Sequence, residues 1–214
     1  MRVMNTPDLA QILASGSEKL LGRPLSEPEA GQFQAYLELL ERWNAAYNLT
    51  AIRDPAEMVT RHLLDSMSVL DWVGNGPLLD AGTGAGLPGV PLAVLRPELE
   101  VSLLDSAGKK IRFLRHVKRE LGLVNIHPIQ ARLEEHQAEE PYGAIVSRAF
   151  SSLLDFASSS RHLMTRDTRL LAMKGRDPID ERKALPDWIK LNSVQELVVP
   201  GLQEQRHLVI MSLT

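Results

Sequence analysis

Residues 78–92, LLDAGTGAGLPGVPL, constrain this chain more than any other stretch. A short apolar run ends in a carboxylate, Asp80. Four glycines then fall within eight positions, at Gly82, Gly84, Gly86 and Gly89, and the apolar residues that follow read as the start of a helix. Glycine accepts positive φ and lets a ligand approach the backbone. A strand, a glycine turn and a helix in that order present unpaired N–H groups and the positive end of the helix dipole to an anionic group. The stretch therefore predicts a nucleotide-type cofactor lying across the turn.

Composition narrows the setting. Apolar residues make up 44 % and charged residues 24 % of the 214, the range of an ordinary globular chain. There is no run of about 18 apolar residues, and the beginning, MRVMNTPDLAQ, lacks the apolar centre of a signal peptide. A cytoplasmic, monomeric protein is expected, in which Asn48-Leu49-Thr50 is a chance glycosylation sequon. With no cysteine, the chain has no disulfide, thiolate metal site or thiol nucleophile. The six histidines show no metal-ligand spacing, so no metal is expected. A formal charge of -3 carries no global sign of a nucleic-acid binder, and local patterning has to decide that question.

Before Gly76 the patterns are helical. A weak, interrupted apolar period runs over residues 8–21. Ser26 and Glu29 form a capping box, followed by Phe33, Tyr36, Leu37, Leu40 and Trp43 at helical spacing. A third helix starts at Asp54-Pro55 and passes through Val59, Leu63, Met67 and Leu70. Arg61 and Asp65, at i,i+4, are placed to form an ion pair on its surface or to line a cleft. Ten acids against six bases make this part net negative, and its role is expected to be structural or substrate-shaping.

From Gly76 onward, strands alternate with helices. Strand-like runs fall at 78–81, 101–105, 126–130, 144–147, 170–174, 194–199 and 207–212. Helical stretches at 87–95, 107–121, 132–138, 152–164 and 179–190 fill the first five gaps. That alternation specifies an α/β fold with a mostly parallel seven-stranded sheet covered on both faces. The last two runs, too close for a crossover helix, should form an antiparallel hairpin at one end. The expected organisation is a helical extension, residues 1–75, packed with a Rossmann-like domain, residues 76–214, as one globular unit.

Ligands of open α/β sheets bind at the carboxyl ends of the strands. Residues there include Asp80 with the glycine turn, Asp105, Arg132-Leu133-Glu134, Ser147-Arg148 and Lys174-Gly175. Asp105 is the best candidate for the hydroxyls of a ribose, being an acid about 20 residues past a glycine turn. Residues 84–89 match the dinucleotide pattern GxGxxG, but Gly82 already makes the turn, so those glycines come one step late, and Pro88 occupies a slot that a dinucleotide needs slim. A carboxylate ending the first strand suits instead the ammonium group of S-adenosylmethionine, with the methionine carboxylate on the loop N–H groups. These features favour the methyl donor over a nicotinamide dinucleotide.

Seven stretches together resemble the bacterial ribosomal RNA small-subunit methyltransferase G family, also called glucose-inhibited division protein B. They are Asn48-Leu49-Thr50; Arg61-His62 with Asp65-Ser66; the LLDAGTGAGLPG turn; Asp105-Ser106 with Lys109-Lys110 and Phe113-Leu114; Arg132-Leu133-Glu134-Glu135; Ser147-Arg148-Ala149; and Lys174-Gly175. The resemblance implies a class I S-adenosylmethionine-dependent methyltransferase acting on N7 of a guanosine in 16S ribosomal RNA. By similarity, donor contacts fall on Gly82, Leu87, Leu133, Glu134 and Arg148. Asp105 is added to that set by the spacing argument.

The residues are compatible with that chemistry. Attack at C5 of a pyrimidine needs a cysteine, which is lacking. Methylation of an exocyclic amine usually employs an Asn/Asp-Pro-Pro-aromatic motif where this chain has Ser147-Arg148-Ala149-Phe150. Guanine N7 is an unprotonated acceptor and needs no base, so no catalytic base is assigned. The helix of residues 107–121 carries Lys109, Lys110, Arg112, Arg115, Lys118 and Arg119 against Glu120 alone, a basic stripe suited to RNA, with Arg112, Arg115 and Arg119 on one face. Lys174 and Arg176 extend it. A small-molecule methyltransferase, in which the stripe is merely solvated, and a nucleotide-binding regulatory module without transfer activity remain alternatives.

Overall fold

The computed structural model describes residues 6–148 and 150–214. Residues 1–5 of the stretch read as lacking a signal peptide, and Ala149 of the Ser147-Arg148-Ala149 motif, lie outside the described residues. Two helices open the chain, α1 (Thr6–Leu21) and α2 (Glu27–Tyr47). The expected capping box starts α2: the Ser26 N–H donates to Glu29 at 2.7 Å and the Glu29 N–H donates back to Ser26 Oγ. Asp54 caps α3 (Pro55–Met58), accepting from the N–H groups of Ala56 and Glu57. The same helix passes into a π-helical segment, Val59–Leu64, and ends in α4 (Asp65–Met67).

Seven strands follow in one sheet: β1 (Leu78–Ala81), β2 (Val101–Asp105), β3 (Ile126–Gln130), β4 (Ala144–Ser147), β5 (Arg169–Lys174), β6 (Ile189–Glu196) and β7 (His207–Leu213). Their order is β3-β2-β1-β4-β5-β7-β6. Strands β1 to β5 pair in parallel, and β7 runs antiparallel to both β5 and β6. The crossover elements are α5 (Gly89–Leu95), α6 (Gly108–Leu121), α7 (Leu153–Ser160) and α8 (Ile179–Lys183).

Three boundaries differ from the periodicity reading. Between β3 and β4 there is no helix over 132–138, only a single 3-10 turn, Leu133–Glu135, because that stretch has only Leu133 and the small Ala138 to set against the core. The helix expected over 179–190 stops at Lys183, since Pro186 disfavours helical backbone before it. The chain then turns into β6 at Ile189, five residues earlier than expected, and Leu197 and Val199 are buried after the strand rather than within it.

The two faces of the sheet carry separate cores, as the period of two along each strand requires. Leu78 of β1 joins a core with Leu13, Phe33, Tyr36, Leu63, Val90 and Phe113, so the helical extension packs on the same face as α5 and α6. Leu79 joins the opposite core with Leu153 and Phe156 of α7. All seven residues of α5 are buried between the sheet and the extension. Gly16 lets α1 come down on the π-helical segment: a methyl there would meet Leu64 Cδ1 at 2.4 Å.

One brace fixes the strand–turn–helix unit. Asp80 is fully buried, and one of its carboxylate oxygens accepts from the Thr83 hydroxyl at 2.6 Å and from the Gly89 N–H at 2.8 Å. Gly89 sits so close that an added Cβ would lie 2.2 Å from Leu103 Cδ2 and 2.8 Å from Asp80. This is the helix-to-strand packing for which a glycine is needed. Burial pushes the Asp80 carboxyl from its ordinary value up to about 6, against the Thr83 and Gly89 hydrogen bonds, which favour ionisation. The folded state therefore prefers protonated Asp80. That preference acts fully below pH 4 and is lost as pH rises through about 6. We expect the unfolding free energy of the wild type, measured against Asp80→Asn by urea titration, to fall by on the order of 3 kcal/mol between pH 4 and pH 7. A difference that stays flat across this interval would show that Asp80 ionises freely.

Candidate functional site

At the carboxyl edge of the sheet a cavity of about 180 Å³ opens between the glycine turn and the helical extension. Gly82, Gly84, Ala85 and Leu87 form one wall, Leu49, Thr50 and His62 the opposite one, and Arg148 enters from the end of β4. The extension is held in place there by buried polar contacts. The Tyr36 hydroxyl donates to the Ala85 carbonyl at 2.8 Å from a side chain with no exposed surface. Asn48 ends α2 in a left-handed conformation, φ 49°, which turns the chain into Leu49-Thr50. The Thr50 N–H then donates to Asn44 Oδ1 at 2.9 Å. Thr50 Oγ1 and His62 Nε2 share a hydrogen bond of 2.9 Å. Burial, aided by the charge of Arg148, lowers the His62 imidazole to about 4, so it is neutral near pH 7.

The glycine turn is more self-contained than the sequence implies. The N–H groups of Gly82 and Thr83 donate to the Leu104 carbonyl, those of Gly86 and Leu87 to the Thr83 carbonyl, and that of Gly84 to Asp105 at 3.0 Å. Ala85 alone among residues 82–87 has an N–H that meets no acceptor among the described residues. The expected row of free N–H groups for an anion is thus absent, because the turn spends them on holding its own shape. The positive charge at the cavity comes from Arg148 instead. Asp80 likewise cannot meet an ammonium group there: the alternation of β1 turns it beneath the turn, sealed off by Gly89.

Of the six residues predicted to contact a cofactor, Gly82, Leu87 and Arg148 line the same cavity. Asp105 is 6 % exposed at the end of β2, one strand along. One of its oxygens accepts from Gly84 and from Lys110 at 3.0 Å, and the other from the Ala107 N–H at 2.9 Å. Leu133 and Glu134 lie outside the cavity, on the turn after β3. Leu133 enters the core of the α7 face, and Glu134 accepts from Ser159 Oγ at 2.8 Å. Its own backbone N–H and Ser159 hold the Glu134 carboxyl below its ordinary range.

The predicted Arg61–Asp65 pair does not form. Arg61 points outward to Glu57 and Glu204. Asp65 is 3 % exposed and points inward, where its two oxygens accept from Arg148 Nη1 and from Arg206 Nε, each at 3.0 Å. Arg148 Nη1 also donates to the Arg61 carbonyl at 3.1 Å. Local spacing signals an i,i+4 partner on a regular α-helix, and this helix is π-helical through Arg61. Spacing placed Tyr36 on the helix but not its contact with Ala85, and it missed Arg206 and the inward role of Asp65; for Arg206 no local signal exists, since its partner is 141 residues away.

The basic stripe divides into parts. Lys110 faces Asp105 at the site. Lys109 donates to the Tyr47 carbonyl and Lys118 to the carbonyls of Val124 and Ile126. Ile111, Phe113, Leu114, Val117 and Leu121 are buried, as the pattern requires, while Arg112, Arg115 and Arg119 lie exposed. Arg119 pairs with Glu120, whereas Arg112 and Arg115 have no acidic partner among the described residues. Since α6 leaves the carboxyl edge and returns toward the start of β3, only its first turns adjoin the cavity. Among the described residues no cluster of three or more His, Asp or Glu side chains is arranged to hold a metal, and no helix is long and apolar enough to cross a membrane.

The fold is shared with several solved structures at low identity. TrmN from Thermus thermophilus aligns with a TM-score of 0.56 at 15 % identity, covering 96 % of this chain and 78 % of that one. The glycopeptide N-methyltransferase MtfA, solved with (S)-adenosyl-L-methionine, aligns with a TM-score of 0.57 at 13 % identity, over 72 % of this chain and 95 % of that one. Sequence relatives are far closer. A protein of Pseudomonas syringae pv. tomato named ribosomal RNA small subunit methyltransferase G is 53 % identical over 211 residues, 99 % of this chain and 100 % of its own length. One of the same name from Pseudomonas aeruginosa is 52 % identical over 206 residues, 96 % of each chain. The family model described as GidB, rRNA small subunit methyltransferase G, matches residues 29–209. With the family model covering most of the chain, glycine turn included, and relatives more than half identical over nearly its full length, this chain belongs to the rRNA small subunit methyltransferase G family.

Proposed function

We propose that this protein transfers the methyl group of S-adenosylmethionine to N7 of a guanosine in 16S ribosomal RNA, in the cytoplasm where small subunits are made. The reading rests on the family assignment together with one observation: the glycine turn and the guanidinium of Arg148, which shares its Asp65 partner with Arg206, face each other across a cavity at the carboxyl edge. The cavity fits an amino-acid-sized group rather than a whole nucleoside, and Arg148 suits a carboxylate. The methionine end of the donor belongs there, beside Gly82 and Leu87. The nucleoside then runs along the strand ends, with Asp105 toward the ribose through the oxygen that has one internal donor, and Leu133 and Glu134 toward the adenine.

When bound, the donor supplies an electrophilic methyl on a sulfonium. The lone pair of N7 forms the new N–C bond as the C–S bond breaks with its electron pair left on sulfur, so no proton has to leave N7. The protein's contribution is alignment and exclusion of water. A cavity whose lining imidazole, His62, is neutral and buried suits that chemistry. Arg112 and Arg115, exposed and without acidic partners, serve the RNA backbone.

Three outcomes test the reading. Label from methyl-labelled S-adenosylmethionine should enter small subunits that lack the modification and not free nucleosides; binding of the donor without labelling of ribosomal RNA would sink the proposed substrate. Gly84→Val should abolish donor binding in calorimetry, because Gly84 lines the cavity and has φ +61°, which a β-branched residue rarely adopts; normal affinity would refute the placement of the donor. The double substitution Arg112→Ala with Arg115→Ala should raise KM for subunits while sparing kcat, and should lower the salt slope of subunit binding by about two charges. An unchanged slope would remove α6 from the RNA surface.

A further inference from the structure

We propose that Asp65 is a positioning residue, its buried carboxylate locked by Arg206 on one side so that on the other it fixes the guanidinium of Arg148 at the cavity. This rests on the reading of that cavity as the seat of the donor's methionine end.

The argument begins with burial. The Asp65 side chain is 4 % exposed, against 26 % for Arg148 and 19 % for Arg206. A carboxylate taken out of water is costly unless both of its oxygens are engaged. Here each oxygen has its own guanidinium at 3.0 Å, so the carboxylate cannot rotate without losing one of them. Arg206 is tied a second time through Nη1 to the Gln205 carbonyl at 2.9 Å, and Arg148 through Nη1 to the Arg61 carbonyl at 3.1 Å. Nη1 of Arg148 thus has two acceptors, while its remaining donors, which meet no acceptor among the described residues, can serve a ligand in the cavity that Arg148 lines.

Charge balance separates this role from simple fold stabilisation. One cation suffices to neutralise one buried carboxylate. Two guanidiniums on Asp65 leave those three side chains with a net charge of +1 at the edge of the cavity, while Glu204, ion-paired with Arg61, also feels the charge of Arg206. Without Arg206, Asp65 would neutralise Arg148; with it, the charge of Arg148 stays available to an anion. The three residues come from α4, the end of β4 and the start of β7, so the arrangement joins the helical extension, the parallel sheet and the terminal hairpin at one point.

The test is a double-mutant cycle read by calorimetry with S-adenosylmethionine and with S-adenosylhomocysteine, needing no RNA. Arg206→Gln should raise the donor Kd about tenfold, the scale of one charge-assisted contact. In an Arg148→Ala background the same change should alter Kd less than twofold, because its effect runs through Arg148. Arg206→Lys should recover part of the loss. At saturating donor, Arg206→Gln should retain wild-type kcat while KM for the donor rises, a split that general loosening of the fold does not produce. Asp65→Asn should follow the same pattern, with thermal melting used to confirm that it folds; the Arg206 arm decides if it does not. Two results overturn the proposal: an Arg206→Gln Kd within twofold of wild type, or an effect that persists undiminished in the Arg148→Ala background. Failure of the wild type to bind the donor at all would instead sink the functional reading.

Discussion

Everything at the carboxyl edge depends on how closely α5 approaches the end of β1. Gly89 lies where any side chain would collide with Leu103 and Asp80, and the buried Asp80 carboxylate receives both the Gly89 N–H and the Thr83 hydroxyl. This contact sets the path of the turn between them. The turn then closes on itself through the carbonyls of Leu104 and Thr83 and through Asp105. Its rigidity comes from internal hydrogen bonds, at the expense of donors for a ligand. The glycines serve chain geometry first, and the charge for an anion is supplied from elsewhere.

Elsewhere means parts of the chain remote in sequence. The helical extension is one wall of the site: Tyr36 reaches the Ala85 carbonyl, Thr50 and His62 face the turn, and Asp65 receives Arg148. A sheet with α5 and α6 but without these residues would leave the cavity open on one side. The shared core, in which Phe33 and Tyr36 pack with Val90 and Phe113, explains why the wall stands where it does. The chain as a whole is slightly acidic, yet Arg148 and Arg206 share one carboxylate, Asp65, at this edge, and Arg112 and Arg115 of α6 have no acidic partner among the described residues. For steering and recognition, the local field counts for more than the sum.

Much of the architecture was legible in the sequence. β1 to β4 and β7 sit where the apolar runs put them, the capping box of α2 forms as its residues imply, and the hairpin is antiparallel because its connection leaves no room for a crossover. Boundaries failed where the local pattern was ambiguous: the turn at Leu133 carries too few apolar residues to specify a helix, and after Lys183 the apolar residues Leu185, Trp188, Ile189 and Leu191 do not choose between helix and strand on their own, so Pro186 decides where the helix ends. In the site, Gly82, Leu87 and Arg148 were found by motif and prove to share a cavity. The readings of Asp80 and of the Arg61–Asp65 pair failed for a common reason. Spacing along a chain gives which residues are neighbours, not which way an oxygen points once a strand alternates or a helix becomes π-helical.

The sequence alone determined the strand–turn–helix unit, the α/β alternation and the absence of thiol chemistry, because these follow from local periodicity, turn chemistry and composition, while seven motif stretches carried the resemblance to the family. Tertiary structure decided the rest. It committed the turn's N–H groups to the turn itself, sealed Asp80 beneath α5, and brought Asp65, Arg148 and Arg206 together from positions up to 141 residues apart. Such contacts arise only when separate elements share a core, and nothing in the neighbourhood of any one of those residues encodes the others.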